Sequence, residues 1–430
     1  MTHTIIFFGG ILLALVLGTR LKINIGLAAA AVAFPVGILA GGISAGAVVS
    51  LFPTTLFFNF LVATFLFGFA GSNGALKALA EHLLYACRNT GWLLGLLFFL
   101  VTAVIAAMGA GGSAPFFLSA ICFSIALQAG INPLLASLAV WMGSMVGGSV
   151  PWTSGFATSV GQLEIYFSPE DARSYAAGYY IWKAVFYTVL YMVSFLAMKG
   201  YRVKRASVKM ERPKAFDSRQ KRSLFIIGAV IALFVLPEAF KIIWPTPVIV
   251  RLSQIFSFQL VAVIGIIANI IGNTASYDSV VKERIPWDTL LMLSLTGMYM
   301  ALANPLGIVE FMGGYLQSSV PAAWIIPGVV LIMCVLSFFV SGVVVIPMML
   351  PMLPVLAEVS SVSVEAVYCA AQIGLTASSI SPFSQGGASV LTGCSDDGLR
   401  RRLIKQQILL SGVFSAIAVA AAFLGGFSML

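Results

Sequence analysis

Apolar runs close to the ~20 residues that cross a bilayer recur along nearly the whole sequence, and nothing else in it constrains the fold as strongly. Of 430 residues, 60% are hydrophobic and 9% are charged. A soluble domain carries about 25% charged residues. The expected fold is therefore an all-α polytopic membrane protein. No stretch reads as a soluble domain, the longest polar segment being 199–222. Met1 to Leu17 is mostly apolar, and Arg20 and Lys22 follow it instead of preceding it. A secretory signal has the reverse order and a small-residue cleavage site, so this segment reads as a retained helix.

The five cysteines, Cys87, Cys122, Cys334, Cys369 and Cys394, show no paired spacing, which argues against a disulfide framework or a zinc site. His3 and His82 lack a partner pattern, and the chain is read as a non-enzyme. The formal charge of +9 raises the question of nucleic acid, but its location answers it. Ten Lys and Arg residues fall within 199–222, opposed only by Glu211 and Asp217. Such a cluster between apolar runs marks a cytoplasmic loop, with attraction to anionic lipid headgroups. A nucleic-acid module would add interleaved aromatics and a fold of its own.

Ten spans are expected, at roughly 4–18, 24–46, 54–72, 133–162, 175–198, 223–243, 255–272, 287–303, 364–392 and 407–428. Two long apolar stretches remain, about 91–130 and 323–357. Each is interrupted midway by small residues or proline, at Gly109–Pro115 and at Ser341-Gly342 with Pro347. Reading both as re-entrant hairpins places Arg20/Lys22, Arg88, the basic loop, Lys282/Arg284 and Arg400–Arg402 on one side, as the positive-inside rule requires. Both termini then lie outside and 199–222 is a cytoplasmic linker.

A long-period comparison supplies the organisation. Pro53, Ala70 and Gly74 match Pro286, Ala303 and Gly307 at an offset of 233; Pro115 matches Pro347 at 232. Gly143, Pro151, Gly155 and Ala157 match Gly374, Pro382, Gly386 and Ala388 at 231. Two repeats follow, 1–198 and 223–430, each of five spans plus one hairpin. The odd number of spans inverts the second copy, an arrangement common in secondary transporters.

The two matched interruptions inside spans are Gly147–Gly155 and Ser378–Gly387. Proline removes a donor, glycine permits non-helical angles, and the freed backbone groups cannot face lipid. They must line a cavity. There the outgoing half-helix offers N–H groups to an anion, and unwound carbonyls suit a small cation. Thr153, Ser154, Ser384 and Gln385 are the expected contacts to a carboxylate, with Ser113 and Ser341 approaching from the hairpin tips. The competing reading is that these small residues only allow close helix packing. Lys183 lies in the middle of a span and is read either as a functional charge or as a snorkelling or locally paired lysine.

Phe52-Pro53-Thr54-Thr55-Leu56 leading to Gly68–Leu76, with Ile285-Pro286-Trp287-Asp288 before a long apolar span, resembles MatC-type dicarboxylate (malonate) carriers. These belong to the ion transporter superfamily, which also holds the divalent anion:sodium symporters. The resemblance covers roughly 5–428. It implies a scaffold and a mobile transport domain, a homodimer formed through the scaffold, and elevator-type alternating access. It further implies that Gly111, Gly112 and Ser113 with Gly148, Ser149, Thr153 and Ser154 form one cluster for substrate and coupling ion. Ser341 and Gly342 with Ser379, Ser381, Ser384 and Gln385 form the other. Within these, Gly111, Gly112, Gly148, Ser149, Gly342, Ser379 and Ser381 are expected around the coupling ion. The symporters carry Ser-Asn-Thr at both hairpin tips, whereas these tips read Gly111-Gly112-Ser113 and Ser341-Gly342-Val343.

The function expected is symport of a small organic anion, a di- or monocarboxylate, with no cofactor. The alternatives are a passive anion channel and the membrane subunit of a multi-component carboxylate carrier. Sodium is the expected coupling ion. Proton relays use Asp, Glu or His inside spans, and the breaks and tips contain none.

Overall fold

The computed structural model describes residues 2–87, 90–202, 211–244, 246–308, 311, 314–315, 320–339, 342–394 and 396–427. Ser341 and the middle of the basic linker lie outside the described residues. Among the described residues every regular element is helical.

The first half runs through α1 (Thr2–Leu21), α2 (Ile25–Pro35), α3 (Ala45–Ser50), α4 (Thr54–Ser72) and α5 (Ala75–Cys87). It continues as α6 (Leu94–Ile105), α7 (Ala114–Ala129), α8 (Pro133–Gly147), α9 (Ser154–Leu163) and α10 (Pro169–Ala197). The second half contains α11 (Ser218–Ile243), α12 (Pro247–Ile255), α13 (Phe258–Ile271) and α14 (Trp287–Met300). After these come α15 (Ala322–Phe339), α16 (Gly342–Met349), α17 (Leu353–Ser360), α18 (Val364–Ala377), α19 (Gln385–Leu391) and α20 (Asp397–Phe423). Asp217 and Gln220 form a capping box that begins α11 at Ser218, inside the stretch read as linker. The short helix α5, with its Lys77–Glu81 pair, was not expected from the sequence.

Five helices among the described residues are long and apolar enough to span a bilayer, and two bent pairs raise the number to seven. That is fewer continuous spans than the ten expected. The remainder are shorter: α2 runs on through a π turn only to Ala40, and 133–162 and 364–392 each split at their Gly/Ser/Pro breaks. One of the five, Gly91–Phe116, itself crosses a kink at Gly109. Gly109 (φ +103) and Gly111 (φ +47) hold angles that favour glycine, and Phe67 fills the space where a Gly109 side chain would stand.

The lipid-facing surface can be read along α10. Ile181, Val185, Val189, Val193 and Leu196 are all exposed on one stripe, while Tyr179, Lys183, Tyr187 and Tyr191 are buried on another. An apolar stripe of that length belongs against lipid. Inside, α8 packs along both α6 and α7, and α18 packs along α15 and along α16–α17. The chain turns by 120° between α17 and α18. A separate apolar cluster joins α1, α2 and α3 to α14 and the residues just after it, through Phe7, Val32, Val48, Tyr299 and Leu302.

Candidate functional site

The Asn132 side chain accepts from Leu134 N at 3.0 Å, and Pro133 opens α8. The helix then runs along α6 so closely that a Cβ on Gly143 would lie 2.6 Å from Phe99 O. It ends at Gly147, pressed against the Ala103 carbonyl. Beyond Pro151, Thr153 adopts an extended conformation (φ −96, ψ 162) and α9 begins. The second break repeats these features 231 positions later. A Cβ on Gly374 would lie 2.6 Å from Val330 O, and Ser384 (φ −92, ψ 156) precedes α19.

The recurrence extends to single bonds. Trp152 Nε1 donates to Ala107 O at 2.8 Å, and Ser381 Oγ donates to Phe338 O at 3.0 Å. Thr153 N donates to Val150 O, and Ser384 N donates to Ser381 O. Gly155 fits against Gly148 O, as Gly386 fits against Ser379 O. The accepting carbonyls lie 231 positions apart in each case, whereas the donors Trp152 and Ser381 are 229 apart. Different side chains, an indole and a hydroxyl, make the equivalent tie between a break and its interrupted stretch.

Around the first break, Gly111 approaches Gly148, whose Cβ would stand 3.3 Å from Gly111 Cα, and Ser154 lies beside the same glycine. Gly112 and Ser113 are exposed, and Ser113 Oγ donates to Ala110 O. Thr153 is buried and donates its proton to the carbonyls of Gly148 and Val150, both at 2.8 Å. Ser149 Oγ donates to Met145 O at 3.2 Å and accepts from Lys183 Nζ at 2.6 Å.

At the second break, Ser379 Oγ donates to Thr376 O at 2.8 Å, and Gly342 lies against Leu375 on α18. Gln385 is exposed, and Ser384, though buried as a residue, has no side-chain hydrogen bond among the described residues. Ser378 Oγ is sealed from solvent without a partner. The outgoing half-helix α19 has 7 residues against 10 in α9, and so aligns fewer peptide dipoles. It packs against the first half of the chain, with Gly386 facing the unpartnered indole N–H of Trp141 on α8, and Gly393 just beyond it lies on Ser119 of α7. The two breaks thus share one core, although no hydrogen bond joins the side chains of their expected clusters among the described residues.

Lys183 and Trp141 are the residues whose place here the sequence left open or passed over. A cavity of about 210 Å³ reaches the first break from the side, lined by Asn59, Pro151, Phe156, Glu164, Arg173 and Phe258. Burial raises the Glu164 carboxyl above its usual range, against a hydrogen bond from Thr55 and the charge of Arg173, which lower it. Two runs with hydrolase-like spacing have structural roles instead. Ser44, between Gly42 and Gly46, caps α3, and Ser279, three residues before Lys282, meets Ser72 and Glu283. No group of three or more metal-binding side chains occurs among the described residues.

The Alcanivorax borkumensis YdaH transporter shares this fold, with a TM-score of 0.65 at 14% identity over 93% of this chain and 98% of that one. Neisseria gonorrhoeae MtrF, described as one of a class of antimetabolite efflux pumps, gives 0.55 at 16% identity over 85% and 80%. No curated protein sequence matches significantly. The family profile described as the N-terminus of the dicarboxylate carrier protein MatC matches residues 1–148, and that of the sodium:sulfate symporter transmembrane region matches 180–422. With more than half its length in the second match, the chain belongs to the sodium:sulfate symporter family of the ion transporter superfamily, with an N-terminal segment, 1–148, that matches the MatC profile.

Proposed function

We propose that the chain is a secondary active carrier that moves a small carboxylate together with sodium. The observation that carries this reading is the recurrence of one construction at two places. Each half-helix break is tied to an interrupted apolar stretch, by Trp152 to Ala107 and by Ser381 to Phe338. Unwound backbone at membrane depth is tolerated where it lines a site rather than lipid. The matched profiles are described as those of a dicarboxylate carrier and of a sodium:sulfate symporter, which favours an anionic cargo and, from the second, sodium.

On this reading the two halves are inverted repeats and the interrupted stretches are re-entrant hairpins. The linker 199–222 is cytoplasmic and both termini are outside. Ser384, Gln385, Ser154 and Ser113 contact the carboxylate, with Thr153 shaping the turn behind them and Ser341 approaching from the second tip. Backbone and hydroxyl oxygens around Ser379 and Ser381 are hard ligands of the kind sodium takes. A homodimer held through a scaffold domain lets the transport domain that carries both breaks move as a unit between the two faces of the membrane.

Uptake of labelled malonate and succinate into proteoliposomes tests this. An inward sodium gradient should drive accumulation, and internal unlabelled substrate should accelerate entry by counterflow. Uptake driven by a proton gradient in sodium-free buffer, unchanged on adding sodium, would overturn the coupling. Entry without counterflow would identify a channel.

A further inference from the structure

The first break holds a cation that belongs to the protein. Lys183 sits on the buried stripe of α10, 6% exposed, with its ammonium 2.6 Å from Ser149 Oγ and 5.3 Å from the centre of the Tyr179 ring. It does not snorkel, because the apolar stripe at Ile181 and Val185 turns the other way. No carboxylate among the described residues pairs with it: Glu365 lies against Gly178, about 7 Å further along the helix axis. An unpaired charge at such depth is costly and marks a functional position.

The position is electrostatically specific. Ser149 follows the last turn of α8, where the carbonyl end of the half-helix carries partial negative charge and favours a cation. Ser149 donates its own proton to Met145 O, so its lone pairs face the ammonium. A monovalent cation on a hydroxyl at the mouth of a half-helix is what a coupling ion would be. The second break has the same backbone but no such group. From Gln406 to Phe423, the part of α20 matching the Lys183 region of α10, there is no charged side chain; Ile380 stands at the position matching Ser149, and the nearby Ser378 Oγ remains unpartnered.

We propose that the Lys183 ammonium is a tethered cation occupying the first coupling-ion position, so that the carrier takes its sodium at the second break alone. This rests on the sodium-coupled reading above. The lysine satisfies the first half-helix from within the chain, and one sodium accompanies each carboxylate where a carrier with two open breaks would take two.

The experiment is a sodium titration of thermal stability in detergent, with choline chloride holding ionic strength constant, on wild type, Lys183→Met and Lys183→Arg. Malonate-to-sodium flux ratios in proteoliposomes accompany it. Wild type should respond with a Hill coefficient of about one. Lys183→Met should rise toward about two as a second sodium enters the vacated position, the coefficient being bounded by the number of sites. Lys183→Arg should behave as wild type. A wild-type coefficient of about two, or two sodium ions moved per malonate, overturns the proposal even if Lys183→Met does not fold. So does a folded Lys183→Met whose sodium response equals that of wild type. A wild type insensitive to sodium but active in uptake overturns the coupling reading itself, which separates the two failures.

Discussion

The first and second breaks share a backbone and differ in chemistry. Gly143 on Phe99 and Gly374 on Val330, Gly155 on Gly148 and Gly386 on Ser379, and the ties to Ala107 and Phe338 all recur at one offset. The hydroxyls have diverged. In the first break Thr153 is held by two carbonyls and Ser149 by Lys183 and Met145, and in the second Ser379 and Ser381 are likewise bonded, to Thr376 and Phe338. In the second, Ser378 and Ser384 have no side-chain partner among the described residues, and Gln385 is exposed. The two breaks share their backbone contacts and differ in which hydroxyls are left without a side-chain partner among the described residues.

If the framework is equivalent on both sides, equal insults to it should have equal and large effects. A Cβ at either Gly143 or Gly374 would lie 2.6 Å from a backbone carbonyl, so leucine cannot be admitted by a side-chain shift. Overpacking a well-filled core costs about 1–3 kcal/mol, and helix separation adds to that. Gly143→Leu and Gly374→Leu should each abolish monodisperse folded protein in size-exclusion chromatography. Normal folding of one variant and not the other would break the equivalence.

The chemical difference predicts a second, smaller contrast. Ser384→Ala should raise the substrate concentration for half-maximal uptake about tenfold to a hundredfold, as expected for losing a hydrogen bond worth roughly 1.5–3 kcal/mol to a charged group. Thr153→Ser keeps the proton that braces the Gly148 and Val150 carbonyls and should transport normally. Thr153→Ala should lower melting temperature more than it alters apparent affinity. Equal affinity losses for Thr153→Ala and Ser384→Ala would restore symmetry between the sites.

Much of this contrast was visible in the sequence, and the part that was not has a physical reason. Gly147-Gly148 with Pro151 and Gly386-Gly387 with Pro382 announce broken helices, because glycine and proline act on the backbone locally. The offset of 231 carried the pairing of elements. The bond from Lys183 to Ser149 joins residues 34 apart through the rotation of α10 about its own axis. A signal for it did exist: Ile181, Val185, Val189 and Val193 recur every fourth residue, leaving Lys183 with Tyr179 and Tyr187 on the interior side. Helix α5 escaped because its charged face resembles a loop in composition. The second hairpin tip depends on Ser341, which lies outside the described residues.

The smallest expected effect concerns access to the first break. The cavity that reaches Pro151 has Glu164 and Arg173 among its lining, and Glu164 is half-buried just beyond the end of α9. Burial raises its carboxyl, while Thr55 and Arg173 hold the rise in check. A folded-state value above the unfolded one means that the native protein binds the proton more tightly. The stabilisation is therefore fully present below the unfolded value and is lost as pH rises through the folded one. Melting temperature should show a shallow decline across that interval in wild type, and Glu164→Gln should flatten it while leaving the rest of the pH profile unchanged. The sodium titration of that variant should match wild type, because Glu164 faces Arg173 and Thr55 rather than Lys183. A Glu164→Gln change that altered the sodium response would tie the cavity mouth to the cation position and remove the simple division of labour between the two breaks.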